Sequence, residues 1–332
     1  MKSLSEEELQ IICSRISRGE RDTVARMITL LESQKADDAD TAQHILHHLL
    51  PTSKNTLRVG LGGPPGVGKS SLIEMLGSNW LDAGHRVAVL ATDPTSEISG
   101  GSLLADKTRM HRLATDPNAY VRPLPQRQAV GGISAATADA IKVCESAGYD
   151  RIIIESLGSG QAEFRIANCV DIFTLLMSPG EGDDLQAIKR GVLEHADVLV
   201  ITKHDGKSTQ LAEKTQHLFS NMFSATGRKL SVFLTTTTQA KTLKPFIEYL
   251  ENYLREDNVS QRIQKREQQK QQLFSFWLER FFYECIHEVT SFYSQNNMSE
   301  ISPYAAARST IAQLKTQLLN KEVNVQGLER YP

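Results

Sequence analysis

The stretch Leu57-Arg58-Val59-Gly60-Leu61-Gly62-Gly63-Pro64-Pro65-Gly66-Val67-Gly68-Lys69-Ser70-Ser71 decides how the rest of the chain is read. It opens as a short apolar run of strand type, and its second half, Gly63 to Ser70, fits the pattern G-x-x-x-x-G-K-[ST]. A helix is expected directly after it, over Ser71 to Trp80. In that setting the glycines let the backbone curl, so that successive N–H groups and the positive end of the helix face a phosphate chain. Lys69 is then expected to reach the β- and γ-phosphates, and the Ser70 hydroxyl to hold Mg²⁺. The nucleotide-contacting set expected here is Gly63, Pro64, Pro65, Gly66, Val67, Gly68, Lys69, Ser70 and Ser71.

Outward from this loop, short apolar runs alternate with helical segments, the pattern of a mainly parallel sheet covered by helices on both faces. Strands are expected at Leu57 to Leu61, Val87 to Thr92, Ile152 to Glu155, Ile172 to Met177, Val198 to Thr202 and Val232 to Thr235, giving one doubly wound α/β domain over 55–254. Residues 1–54 read as a helical preface that opens with Ser5 and Glu8 at capping-box spacing. A polar stretch, Ser33 to Asp40, is expected to separate its first helices from a short last one ending near Pro51. Residues 255–332 read as a helical extension, Gln- and charge-rich from Arg255 to Gln272 and then apolar at Leu273, Phe274, Phe276, Trp277, Phe281, Phe282 and Ile286. Two readings of its aromatic side stand together: packing on its own domain, or dimerisation.

Two of the expected strands end in acids, Asp93 and Glu155, and the carboxyl ends of such strands are where an α/β sheet offers metal ligands. Glu155-Ser156-Leu157-Gly158 also has the spacing of a GTPase switch, in which the glycine N–H senses the γ-phosphate. Farther along, Thr202-Lys203-His204-Asp205 resembles the N/T-K-x-D motif that reads guanine. A carboxylate there accepts from the N1–H and the 2-amino group, whereas adenine leaves it buried and unpaired. The Ser-Ala pair that usually makes the second base contact is absent; Thr235 to Thr238, Gln239 and Ala240 stand in its place.

Composition narrows the function classes. With 37 Lys and Arg against 39 Asp and Glu, the net charge of -2 gives no field to hold nucleic acid or an anionic membrane. Four scattered cysteines without CxxC spacing read as free thiols. The acidic start and the lack of any apolar run near ~20 residues lead to the expectation of a cytoplasmic protein. His44, His47 and His48 share a helix face at metal-like spacing, but no Cys or carboxylate cluster completes a site, and a solvated face is expected.

The phosphate loop is joined by Asp93-Pro94-Thr95-Ser96, by Gly100 to Met110, by Glu155 to Glu163 and by Gly180 to Lys189. In this order and layout, across nearly the whole chain, the sequence resembles the MeaB/ArgK GTPases, the family that includes the methylmalonic aciduria type A protein. The resemblance implies a homodimeric, GTP/GDP- and Mg²⁺-binding GTPase that is a chaperone of a coenzyme B12-dependent acyl-CoA mutase, typically methylmalonyl-CoA mutase, gating cobalamin loading and protecting the enzyme. It also implies that Asp93, Asp106 and Glu155 lie around the metal. The loop with Gly180, Gly182, Asp183, Asp184 and Lys189 is implied to be a further switch, in keeping with its chain breakers and its charges. The chain departs from the usual family pattern at Ser156, Leu157 and Ser159, and at Ala105.

For hydrolysis, Gln161 and Asp106 are candidates to position water and Arg109 to donate charge, alongside Lys69. A kinase or transport-system ATPase using the same loop, and a module that holds nucleotide without turnover, are the competing expectations.

Overall fold

The computed structural model describes residues 4–33, 35–50, 55–93, 110–125, 132–156, 161–180, 190–225, 227, 230–236, 239–295, 308 and 311. Three helices come first: α1 (Glu6–Ser17), α2 (Arg21–Leu31) and α3 (Ala36–His48). The capping box at the start of α1 is formed, with the Glu8 N–H donating to Ser5 Oγ and the Ser5 N–H donating to Glu8 Oε2. Helix α3 starts inside the polar stretch Ser33 to Asp40 that was expected to precede it, and His48 turns its ring onto the carbonyl of His44.

The described residues then form one seven-stranded sheet, with strands β1 (Leu57–Gly62), β2 (Val87–Asp93), β3 (Ala119–Pro125), β4 (Arg151–Glu155), β5 (Ile172–Met177), β6 (Val198–Ile201) and β7 (Ser231–Leu234). The spatial order is β3-β2-β4-β1-β5-β6-β7, and every pairing is parallel. Six strands were expected. The seventh, β3, contains Arg122, Pro123 and Pro125 and lies at the sheet edge, where proline removes no needed ladder bond. β6 stops at Ile201, which leaves Thr202 in the loop beyond it.

Alternation along the strands explains the two cores. Leu57, Val59, Leu61, Val87, Val89 and Ile153 face one side, with Leu72, Ile73, Leu76 and Trp80 of α4 (Lys69–Asp82). Ala88, Leu90, Ile152 and Ile154 face the other side, with Ile141 and Cys144 of α6 (Gly132–Ser146). Between these two helices lies the short α5 (His111–Thr115), whose Leu113 sits against Gly77. Leu9, Ile16, Val24, Ile28, Ile45 and Leu49 of the N-terminal segment join the second core, where the preface packs against α6.

The remaining helices are α7 (Gln161–Ala167), α8 (Arg190–His195), α9 (Thr209–Ala225), α10 (Lys244–Asn252) and α11 (Val259–Gln295). The chain divides into compact units at 1–274 and 275–332, a boundary inside α11. Within the first unit, α11 is fixed to the amino end of the sheet. Arg266 makes a two-pronged pair with Asp171 at 2.7 and 2.8 Å, Lys265 bonds Asp197 at 2.9 Å, and Gln269 bonds the Val170 carbonyl at 2.7 Å. In the second unit, Trp277 stacks on Phe281, and Leu278, Phe281, Phe282 and Ile286 are exposed. No described helix is long and apolar enough to cross a membrane.

Candidate functional site

Because β1 pairs with β4 on one side and β5 on the other, the chain leaves it at the point where strand order reverses, where α/β sheets form their crevice. The turn from β1 to α4 is built by left-handed glycines. Gly63 has φ 141°, Gly66 φ 76° and Gly68 φ 108°, the last being the residue that caps α4. A Cβ on Gly66 or Gly68 would meet no atom within 4 Å, so backbone conformation alone requires glycine there. At Gly63 a Cβ would also lie 2.6 Å from the Leu176 carbonyl oxygen. Pro64, Pro65 and Val67 complete the curl, with the Val67 N–H turned toward the Pro64 carbonyl at 3.4 Å. Ser71 lies in the first turn of α4, which begins at Lys69, two residues earlier than expected.

The Lys69 ammonium is tucked back on its own loop, donating to the carbonyls of Gly63 at 2.8 Å and Pro64 at 3.1 Å. Burial lowers its pKa, and the carboxylates of Glu155 and Glu163 push it back up. Ser70 Oγ donates to Glu155 Oε1 at 3.4 Å, so a hydroxyl and a carboxylate meet where a phosphate-bound cation needs oxygen ligands. Glu155 closes β4, and the next N–H, of Ser156, bonds the Leu61 carbonyl at 2.9 Å, which ties this acid to the loop.

The base-reading segment is connected to the same loop. Thr202 Oγ1 donates to the Val67 carbonyl at 2.7 Å, with the Met177 carbonyl at 3.2 Å. Lys203 has φ 57°, the one left-handed non-glycine among the described residues, and its ammonium reaches Ser178 Oγ at 3.4 Å. This turn carries the chain to Asp205, whose Oδ2 accepts a hydrogen bond from Thr236 Oγ1. Thr236 belongs to the Thr run that replaces the Ser-Ala pair, and a hydroxyl on the carboxylate orients it. A carboxylate held this way accepts two donors from a guanine edge.

Gly180, at φ 88°, donates its N–H to Thr215 Oγ1 at 3.3 Å. Asp106, Arg109, Gly158, Gly182, Asp183, Asp184 and Lys189 lie outside the described residues, as do the side chains of Asp93 and Gln161, whose backbones end β2 and begin α7. Glu163 is a site residue that pattern reading did not single out. It is only 3% exposed, and a Cβ on Gly62 would lie 2.9 Å from its Cγ.

Fold and site together define a P-loop nucleotide-binding protein with the layout of a GTPase. Residues 24–288 match the family model described as methylmalonyl Co-A mutase-associated GTPase MeaB, and the chain belongs to that family. It is 50% identical over 196 residues to a protein of Mycobacterium tuberculosis named as a probable GTPase, covering 59% of this chain and 58% of that one. It is 45% identical over 226 residues to the mouse methylmalonic aciduria type A homolog, mitochondrial, covering 65% and 54%. To GTPase ArgK of Escherichia coli it is 41% identical over 215 residues, covering 65% of each. The matched stretches thus span between 54% and 65% of these relatives' lengths. A solved structure titled LAO/AO transport system kinase superposes with TM-score 0.66 and 27% identity over 95% of this chain and all of that one.

Proposed function

We propose that this chain binds GTP and GDP with Mg²⁺, hydrolyses GTP, and serves as a regulatory chaperone of a coenzyme B12-dependent acyl-CoA mutase of the methylmalonyl-CoA type. The observation that carries the guanine reading is the bond from Thr202 Oγ1 to the Val67 carbonyl, which joins the segment presenting Asp205 to the phosphate loop. The mutase reading is supported by the family description, which names association with methylmalonyl Co-A mutase.

Lys69 leaves the Gly63 and Pro64 carbonyls for the β- and γ-phosphate oxygens, and the amides of Gly66 to Ser70 neutralise charge as it moves toward the leaving oxygen. Ser70 and Glu155 suit Mg²⁺ because both are hard oxygen donors, and such an ion takes few protein ligands and keeps phosphate oxygens and waters. When bound, the ion supplies charge to the phosphoryl oxygens. Water attacks the γ-phosphorus, the bond to the β,γ-bridging oxygen breaks, and GDP and phosphate leave. Gln161, Asp106 and Arg109 are the proposed water-positioning and charge-donating groups, with Asp93 and Asp106 beside the metal and Gly158 at the γ-phosphate.

The loop with Gly180, Gly182, Asp183, Asp184 and Lys189 is proposed to carry nucleotide state to the mutase. The exposed Leu278, Phe281, Phe282 and Ile286 support a homodimer through the C-terminal extension, and a cytoplasmic setting completes the reading. The test is phosphate release from GTP with and without a cobalamin-dependent mutase: acceleration in the presence of the mutase is expected. A rate unchanged by any acyl-CoA mutase overturns the chaperone role.

A further inference from the structure

The Cγ of Glu163 lies against Gly62, the last residue before the phosphate loop, and the residue is 3% exposed. Its Oε2 is buried with no hydrogen-bond partner among the described residues. Helix α7 holds it there because Ile166, on the next turn of the same face, packs over Gly60, as Glu163 does over Gly62. A buried carboxylate oxygen without a donor is costly and calls for an explanation. Packing does not provide one, since a Gln of the same shape would fill the same space. What the carboxylate does face is charge: it acts on Lys69 together with Glu155. Ser70 engages Glu155, and a divalent cation would offset that acid, whereas no described side chain bonds Glu163 Oε2.

We propose that Glu163 is a positioning residue that competes with the terminal phosphates for Lys69, and so keeps nucleotide binding weak enough for release without a separate exchange protein. The inference rests on the nucleotide reading above and specifies how that site is regulated. Phosphate oxygens only accept hydrogen bonds, so the incoming polyphosphate brings no donor to Glu163 and adds a like charge beside it. The repulsion is present for GDP and greater for GTP, whose γ-phosphate adds negative charge. Lys69 is thereby held between two anionic demands, its loop position being favoured when the nucleotide leaves.

The experiment is titration calorimetry and stopped-flow release of GDP and of a non-hydrolysable GTP analogue, with Mg²⁺, on the full chain. Wild type, Glu163→Gln and Glu163→Asp are compared, with thermal melting of each. Glu163→Gln is expected to bind about tenfold tighter, the size of one charge–charge interaction across about 12 Å at an effective dielectric of about 20. The gain should be greater for the triphosphate, with release slowed in proportion. The melting temperature should not fall, because a buried carboxylate with one oxygen lacking a donor has been removed. Glu163→Asp, which keeps the charge, should stay near wild type. A merely structural role moves both readouts the other way, so equal or weaker binding by Glu163→Gln, or an earlier melt, overturns the proposal. If the wild type binds neither guanine nucleotide, the nucleotide reading falls first; if it binds and Glu163→Gln gains nothing, only this proposal falls.

Discussion

The two ends of the sheet are both rich in charge, yet they are built to opposite rules. At the amino end the buried acids are paired with arginines, although Arg262 Nη1 and Gln269 Oε1 there are buried without a partner among the described residues. Asp171, fully buried, receives Arg266 on both oxygens and the Arg58 N–H at 2.9 Å. Arg58 itself forks onto Glu145 at 2.7 and 2.8 Å, and Arg151 bonds Glu251 at 2.8 and 3.1 Å. At the carboxyl end, Lys69 settles for carbonyls of its own loop, and Glu163 keeps a buried oxygen without a donor. Saturated ion pairs hold a shape; unsaturated ones leave work for a ligand. At the carboxyl end the unpaired groups adjoin the phosphate loop.

The contrast can be broken from either side. Lys69→Ala should have the largest effect on function: calorimetry is expected to detect no guanine nucleotide, while the melting curve stays near wild type, because the lysine's hydrogen bonds go to carbonyls of its own loop. Asp171→Asn should do the reverse. It leaves Arg266 without its carboxylate in a buried setting, at a cost of about 3–5 kcal/mol in a urea titration, and any folded fraction should still bind nucleotide.

The same pair gives a pH dependence with a definite sign. Burial alone would raise the Asp171 carboxyl, but the Arg266 fork and Arg58 overcome it and hold its pKa below the usual carboxylate range. Its contribution to stability is therefore present above the unfolded carboxylate value, about 4, and is lost as pH falls through the lower folded value. Acid unfolding monitored by circular dichroism should begin at higher pH in Asp171→Asn than in wild type. The smallest and most selective effect is expected at Asp205→Asn. It should leave stability unchanged and move preference from GTP toward xanthosine triphosphate, because the amide then meets a carbonyl instead of an amine, by about 1–3 kcal/mol in competition binding.

Much of the carboxyl end was legible in the sequence because its requirements are local. Gly63, Gly66 and Gly68 are needed for backbone angles that few other residues adopt, and Lys69 and Ser70 follow at fixed spacing on one helix start. Apolar runs likewise announced six of the seven strands. What escaped depends on the packed chain. Strand β3 is an edge strand with two prolines and an arginine, so it has neither the apolar run nor the clean alternation of the others. The stretch Arg255 to Gln272 reads only as charged and Gln-rich, yet Lys265, Arg266 and Gln269 reach the amino end of the sheet, which only the three-dimensional position of Asp171, Asp197 and Val170 reveals. Thr202 replaces Asn in the base-reading motif without loss of its link to the loop, since a hydroxyl suffices to reach the Val67 carbonyl. Thr236 bonds Asp205 from the Thr run that replaces the missing pair, a contact across 31 residues.

The central claim is that one loop grips a polyphosphate while Asp205, linked to it through Thr202, selects the purine. Titration calorimetry of the wild-type chain with GTP and with ATP, in Mg²⁺, tests it most directly. Saturable binding of GTP with ATP weaker by at least about a hundredfold, as expected when adenine leaves a carboxylate unpaired, is the predicted result. Equal affinity for the two, or a preference for ATP, would contradict it.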